Sequence, residues 1–283
     1  YCCKMQMTPE QVKGRIKNVA KETKADARTL MRIYMMERFL ERVSISQYKD
    51  IFIIKGGILV TAMVGVALRS TMDIDTSIKN QNLSIEDAKC IVNEIKGIDL
   101  GDGVSFEISE ISNIMDEMEY PGVRLTMNAV MGKLITPMKI DISTGDVITP
   151  SAVEFQYKLL LDDRTISLLS YNLETILAEK LQTVLVRGLL NTRMRDFYDI
   201  KMLLSIYSQN INYEILKSAF DATCKKRSTE NLKNEASRII LVIRNDKKLL
   251  SLWESYQKKY SYASDISYKD IIESVLYLLD TIQ

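Results

Sequence analysis

The stretch KGGILVTAMVGVALRSTMDIDTS, from Lys55 to Ser77, constrains the fold of this chain more than any other. A Gly-Gly pair follows the apolar run Ile51 to Ile54, a helix-compatible stretch comes next, and Asp-x-Asp then falls in an apolar strand pattern. Successive strand side chains point to opposite faces, so Asp73 and Asp75 leave the same face and can grip the same divalent cation. Gly56 and Gly57 stand where bare backbone N–H groups and a helix N-terminus can receive phosphate, with Lys55 beside them. Each part also has a plainer reading. Asp-x-Asp fits the solvent face of an amphipathic strand, and Gly-Gly fits a tight turn.

Composition narrows the classes. The chain has 283 residues, 46% of them hydrophobic and 27% charged, enough for two domains with a sizeable core. A net charge of +1 argues against a surface that coats polyanions globally, so nucleic-acid binding would need a local basic patch. Histidine is absent, which excludes histidine triads, histidine general bases and histidine-ligated zinc from this polypeptide. Cys2, Cys3, Cys90 and Cys224 match neither a zinc spacing nor a disulfide framework, and a reducing cytoplasm is the expected home. No apolar run approaches the roughly 18 residues that cross a bilayer, and the start lacks a signal-peptide layout. The expectation is a soluble, cytoplasmic protein without a membrane partner.

The elements follow from capping and periodicity. Thr8-Pro9-Glu10-Gln11 predicts a helix start, and a second helix is expected from about residue 25 to 44, with Leu30, Ile33, Tyr34, Phe39 and Leu40 inward. Ser84-Ile85-Glu86-Asp87 opens another. Strands are expected over Val104 to Met118, Val123 to Val130 and Met138 to Ser143, with a hairpin at Pro121-Gly122. From about Asn172 the period turns helical to the end, giving an expected division into residues 1–165 and 166–283.

Nucleotidyl transfer needs hard oxygen ligands for a divalent cation pair. Asp73 and Asp75 supply two, and Asp141 in Lys139-Ile140-Asp141-Ile142-Ser143 shares a face with Lys139 and Ser143 while its isoleucine neighbours are buried. Taken alone, Asp141 equally fits a surface carboxylate. Lys180 lies at the edge of the inward stripe of its helix, where it either snorkels to water or meets a triphosphate, and Arg187 follows seven residues on. Asp196 and Asp199 are three apart on one helical face beside Arg195, which equally suits an acidic first turn. Lys225, Lys226, Arg227, Lys247, Lys248, Lys258 and Lys259 offer a basic patch or a solvated face.

In this order and spacing, GG…RSTMDID, KIDIS, ETILAEKLQ and RMRDFYDI resemble the AbiEii/AbiGii family of abortive-infection toxins, in the DNA polymerase beta-like nucleotidyltransferase superfamily. The resemblance spans roughly residues 50 to 205. It implies an α+β nucleotidyltransferase core with a mixed sheet and flanking helices, followed by a helical C-terminal domain. It implies Gly56 and Gly57 as the phosphate-cradling turn, Asp73, Asp75 and Asp141 as acidic metal positions, and Lys180 as the nucleotide-binding lysine with Asp196 and Asp199 as partners. Gly57 stands where the superfamily usually has Ser, which leaves open whether Ser70 or Thr71 supplies the missing hydroxyl. Further implications are Mg2+ or Mn2+ as cofactor, an NTP substrate, a cognate antitoxin encoded alongside, and an RNA acceptor such as the 3′ end of tRNA. A small-molecule acceptor, as in antibiotic-modifying relatives, and a non-catalytic nucleotide binder are the alternatives.

Overall fold

A computed structural model describes residues 7–79, 83–114 and 122–282. The chain divides into two compact units, one running through Asp146 and resuming over Val153–Ser170, the other taking Val147–Ala152 and everything from Tyr171 onward.

The first unit opens with α1 (Pro9–Thr23), which starts where the sequence predicts, with reciprocal Thr8 and Gln11 caps. Helix α2 (Ala27–Ile45) is capped by Asp26 and buries all five of the apolar residues expected inward. Then come β1 (Phe52–Lys55), α3 (Gly56–Val64), β2 (Asp73–Ile78) and α4 (Ile85–Lys96), the last with a Ser84/Asp87 capping box. Strands β3 (Ser105–Ile114), β4 (Gly122–Met131), β5 (Leu134–Thr144), β6 (Val153–Lys158) and β7 (Thr165–Ser170) complete it. Among the described residues these strands form one mixed sheet in the order β3-β4-β5-β2-β1-β7-β6. The β1/β7 and β2/β5 pairs are parallel and the rest antiparallel. Helices α2 and α4 pack on the sheet, with Phe39 of α2 against Phe52 and Phe106.

Strand β4 alternates strictly, burying Val123, Leu125, Met127, Ala129 and Met131. Strand β5 begins four residues earlier than its pattern suggests, at Leu134 rather than Met138. Pro137 lies inside it, which central strands exclude. It is tolerated because β2 joins β5 only from Lys139 onward, so at Pro137 no strand among the described residues pairs on the side away from β4. Strands β6 and β7 were not expected. Pro121, residues 115–118 of the expected β3 strand, and Cys2 and Cys3 lie outside the described residues.

Glu37 on α2 is buried and accepts the Leu160 N–H at 3.0 Å on each oxygen, tying α2 to the β6–β7 connection. Burial pushes its carboxyl up to about 8, against hydrogen bonds from Leu160 and Tyr157 that favour ionisation. The unfolded carboxyl ionises near 4.5 and the folded one near 8, so the folded state holds the extra proton between them. Stability is therefore full below the lower value and falls as pH rises through the window, by at most about 1.4 kcal/mol per pH unit. Glu37→Gln keeps an acceptor for Leu160 without the ionisation. Its Tm relative to the parent is expected to climb steadily from acid to pH 8 in calorimetric scans. A flat difference would show that Glu37 is not held protonated.

The second unit is helical: α5 (Leu173–Arg187), α6 (Met194–Tyr207), α7 (Tyr213–Lys226), α8 (Leu232–Arg244), α9 (Lys247–Lys259) and α10 (Tyr268–Asp280). Asn172 caps α5 through the Thr175 N–H and also donates to the Thr149 carbonyl, which fastens the 147–152 segment to this unit. Among the described residues no helix is long and apolar enough to cross a membrane.

Candidate active site

The carboxylates of the first unit are organised by strand register. Asp73 pairs with Lys139 and Asp75 with Asp141 across β2/β5, Arg124 pairs with Asp141 across β4/β5, and Lys55 pairs with Asp75 across β1/β2. Residues directly opposite share a face, so Arg124, Asp141, Asp75 and Lys55 form one row. Asp73 lies on the same face one pleat away.

The Gly-Gly turn seats Asp75. Gly57 N–H donates to Asp75 Oδ2 at 2.9 Å, placing the carboxylate against the first turn of α3, where the helix dipole favours negative charge. Gly56 has φ +56°, and a Cβ there would lie 2.2 Å from Asp75 Oδ2. At Gly57 a Cβ would meet Thr71 Oγ1 at 2.5 Å and an Arg69 guanidinium nitrogen at 2.9 Å. The Thr71 hydroxyl thus fills the space that a serine side chain at position 57 would take. Ser70 offers its carbonyl to Arg69 at 3.1 Å.

Asp73 is half-buried, and its carboxyl is raised above the usual range by burial and then by the charges of Asp75 and Asp141. Asp141 is 6% exposed and is held by Arg124 through Nε to Oδ1 and a terminal nitrogen to Oδ2, both 2.8 Å. Lys55 is buried, and its ammonium donates to Ser143 Oγ and Asp146 Oδ2, each at 2.6 Å. It therefore serves an internal pair rather than presenting its charge beside the glycines.

These positions bear on a metal. Asp73 and Asp75 are hard oxygen donors on one face, and the carboxylate repulsion that adds to burial in raising Asp73 is what a divalent cation would relieve. Among the described residues no group of three or more acidic or cysteine side chains is drawn together as a metal cage, consistent with both Asp141 oxygens being engaged by Arg124.

In the second unit Lys180 does not snorkel. Its ammonium lies 2.9 Å from Asp196 Oδ1 and 2.7 Å from Asp199 Oδ2, with Asp199 fully buried and the Lys180 side chain only 12% exposed. Arg193 adds a second cation to Asp196 at 2.8 Å. Arg187 sits two turns beyond Lys180, in the last turn of α5, where a cation complements the helix dipole. Arg195 donates to Tyr260 OH at 3.0 Å and lies over the Tyr260 ring. Arg227 is not part of a surface patch, because its side chain is 7% exposed and binds Glu179 and Gln182.

Residues 38–274 match the family described as nucleotidyl transferase AbiEii toxin, type IV TA system, a span holding both clusters. The chain belongs to the AbiEii family. Two solved structures share its fold. A candidate nucleotidyltransferase from H. pylori is 17% identical with a TM-score of 0.50, covering 90% of this chain and 93% of that one. JHP933 from Helicobacter pylori is likewise 17% identical at a TM-score of 0.50, covering 92% of each. No curated protein matches the chain. AbiEii membership and these structures make the fold an α+β nucleotidyltransferase core with a mixed sheet and flanking helices, followed by C-terminal helices. A type IV toxin–antitoxin family also implies a cognate antitoxin.

Two residues at the candidate site of this AbiEii-family chain escape the motif reading. Arg69, 2% exposed, donates to the Gly57 carbonyl at 2.9 Å and to Thr61 Oγ1 at 3.2 Å, clasping the start of α3 to the loop before β2. Arg124 was detectable only as a cation on the half-exposed face of β4, in register with Asp141.

Proposed function

We propose that this AbiEii-family chain is a cytoplasmic toxin that moves a nucleoside monophosphate from an NTP to an RNA acceptor, the 3′ end of tRNA foremost, and that a cognate antitoxin encoded alongside restrains it. The observation that carries this reading is the seating of Asp75 on the Gly57 amide beside Asp73, whose proton affinity is raised by burial and then by neighbouring carboxylates. Asp73 and Asp75 would hold Mg2+ or Mn2+, which supplies Lewis-acid neutralisation of the triphosphate when bound. Asp141, fixed by Arg124, completes the acidic row, and the Thr71 hydroxyl is the donor next to the glycine turn, with Ser70 beside it. Lys180, held by Asp196 and Asp199, is the proposed triphosphate contact, with Arg187 supporting it. In the transfer the acceptor's hydroxyl oxygen bonds the α-phosphorus as the bond to pyrophosphate breaks, and the hydroxyl proton leaves to solvent or a nearby carboxylate.

The test is incubation with each α-labelled triphosphate, total RNA and purified tRNA, with and without chelator. Label is expected in RNA, in tRNA first, and only when divalent metal is present. Label confined to a small molecule would instead make the chain a small-molecule nucleotidyltransferase. Triphosphate binding without any transfer would make it a non-catalytic binder.

A further inference from the structure

We propose that the groove between α1, α2 and the start of β5 carries the phosphate backbone of the RNA acceptor toward Asp73; this rests on the acceptor being RNA, as proposed above. The groove has a volume of about 370 Å³. Lys13 and Lys17 of α1 and Arg28 and Arg32 of α2 line it, and no acidic residue does. Within each pair the cations are four residues apart, hence on one helical face about 6 Å apart along the axis. None of the four makes an ion pair among the described residues. In a chain of net charge +1, four cations around one cavity that no acidic residue lines are a local excess whose self-repulsion a polyanion would offset.

The position of the groove indicates which polyanion. A terminal guanidinium nitrogen of Arg32 lies 2.9 Å from Sδ of Met72, the residue before Asp73. Strand β5 leads the same way: Pro137 lines the groove, and two residues on the exposed Lys139 stands opposite Asp73. Those two residues span about 7 Å of strand. A strand whose end must reach carboxylates gains from cations along its approach, and the aliphatic floor of Met31 and Leu134 suits ribose and base faces. An acidic amphipathic peptide would match the charge, but nothing would require it to end beside Asp73. The four cations all precede residue 38, where the family match begins, while Leu134 to Pro137 of the groove lie inside the matched span.

The experiment measures binding of end-labelled tRNA to the whole chain over a series of salt concentrations. Each lost single-strand phosphate contact lowers the slope of log K against log salt by about 0.7. Changing all four cations to Gln is expected to lower the slope by about 2.8, and Lys13→Gln with Lys17→Gln, both exposed, by about 1.4. Lys13→Arg with Lys17→Arg should keep the parent slope. The exposed pair keeps the test valid if the fourfold variant does not fold. If the Gln variants bind tRNA with the parent's affinity and slope, the groove proposal fails, including where the parent groove takes up an acidic amphipathic peptide. Failure of the underlying reading looks different: the parent would transfer label to no RNA at all.

Discussion

Gly56→Ala is expected to cut nucleotide transfer by at least about a hundredfold, although glycine 56 supplies no reacting group. The added Cβ would stand 2.2 Å from Asp75 Oδ2 and 2.7 Å from its Cβ, so the carboxylate must move. Displacements of about 1 Å at a reacting centre cost on the order of a hundredfold. The backbone adds its own strain, because φ of +56° costs a non-glycine residue roughly 1–2 kcal/mol. Gly101→Ala separates these terms. Gly101 has φ +62° with open space where its Cβ would go, so this variant carries the strain without the clash and should transfer within a few-fold of the parent. Asp75→Asn gives the reference loss: it keeps the shape while removing the charge, and several kcal/mol of transition-state stabilisation corresponds to a thousandfold or more, roughly. Steady-state transfer rates of the three variants decide the matter. If Gly56→Ala were as active as Gly101→Ala, Asp75 would have no exacting position and the candidate site would be misassigned.

The same geometry explains what could be read from the residues. Asp73, Asp75 and Asp141 were legible because strand alternation fixes faces, and isoleucines between them mark the buried side. The capping boxes of α1 and α4 were legible because they are local chemistry. Lys55 was not, since its partners Ser143 and Asp146 are 88 and 91 residues away and only the folded register brings them together. Arg124 was hidden for a similar reason: a cation on a strand can meet any carboxylate of the neighbouring strand until the hairpin register is known. Arg69 sat inside the motif unread, because its partners are backbone carbonyls and the Thr61 hydroxyl, which leave no pattern in side-chain spacing. Strand β5 was cut short by Pro137, whose tolerance depends on where β2 stops pairing. Strands β6 and β7 are short, six residues each, and the expected division at 165/166 falls inside the second of them.

Lys180→Met is expected to damage both stability and transfer, and a second substitution can tell the two apart. Removing the ammonium leaves Asp196 and Asp199 buried, with Arg193 as a remaining cation for Asp196. Breaking a buried pair by deleting one partner costs about 3–5 kcal/mol, because the other charge stays desolvated. Asp199 is the more exposed to this penalty energetically, since it has no access to water and lies 2.7 Å from the lost charge. Adding Asp199→Asn to Lys180→Met removes the buried charge that faced the ammonium, so calorimetry should show the double variant recovering part of the lost stability, a coupling measurable as a double-mutant cycle. Transfer should not recover, because the proposed contact to the triphosphate is still missing, and the KM for NTP should stay raised. Lys180→Arg keeps a cation and should fall between. Should the double variant regain transfer along with stability, Lys180 would be a structural ion-pair lysine of the helical unit, and the triphosphate would have to be held by other cations.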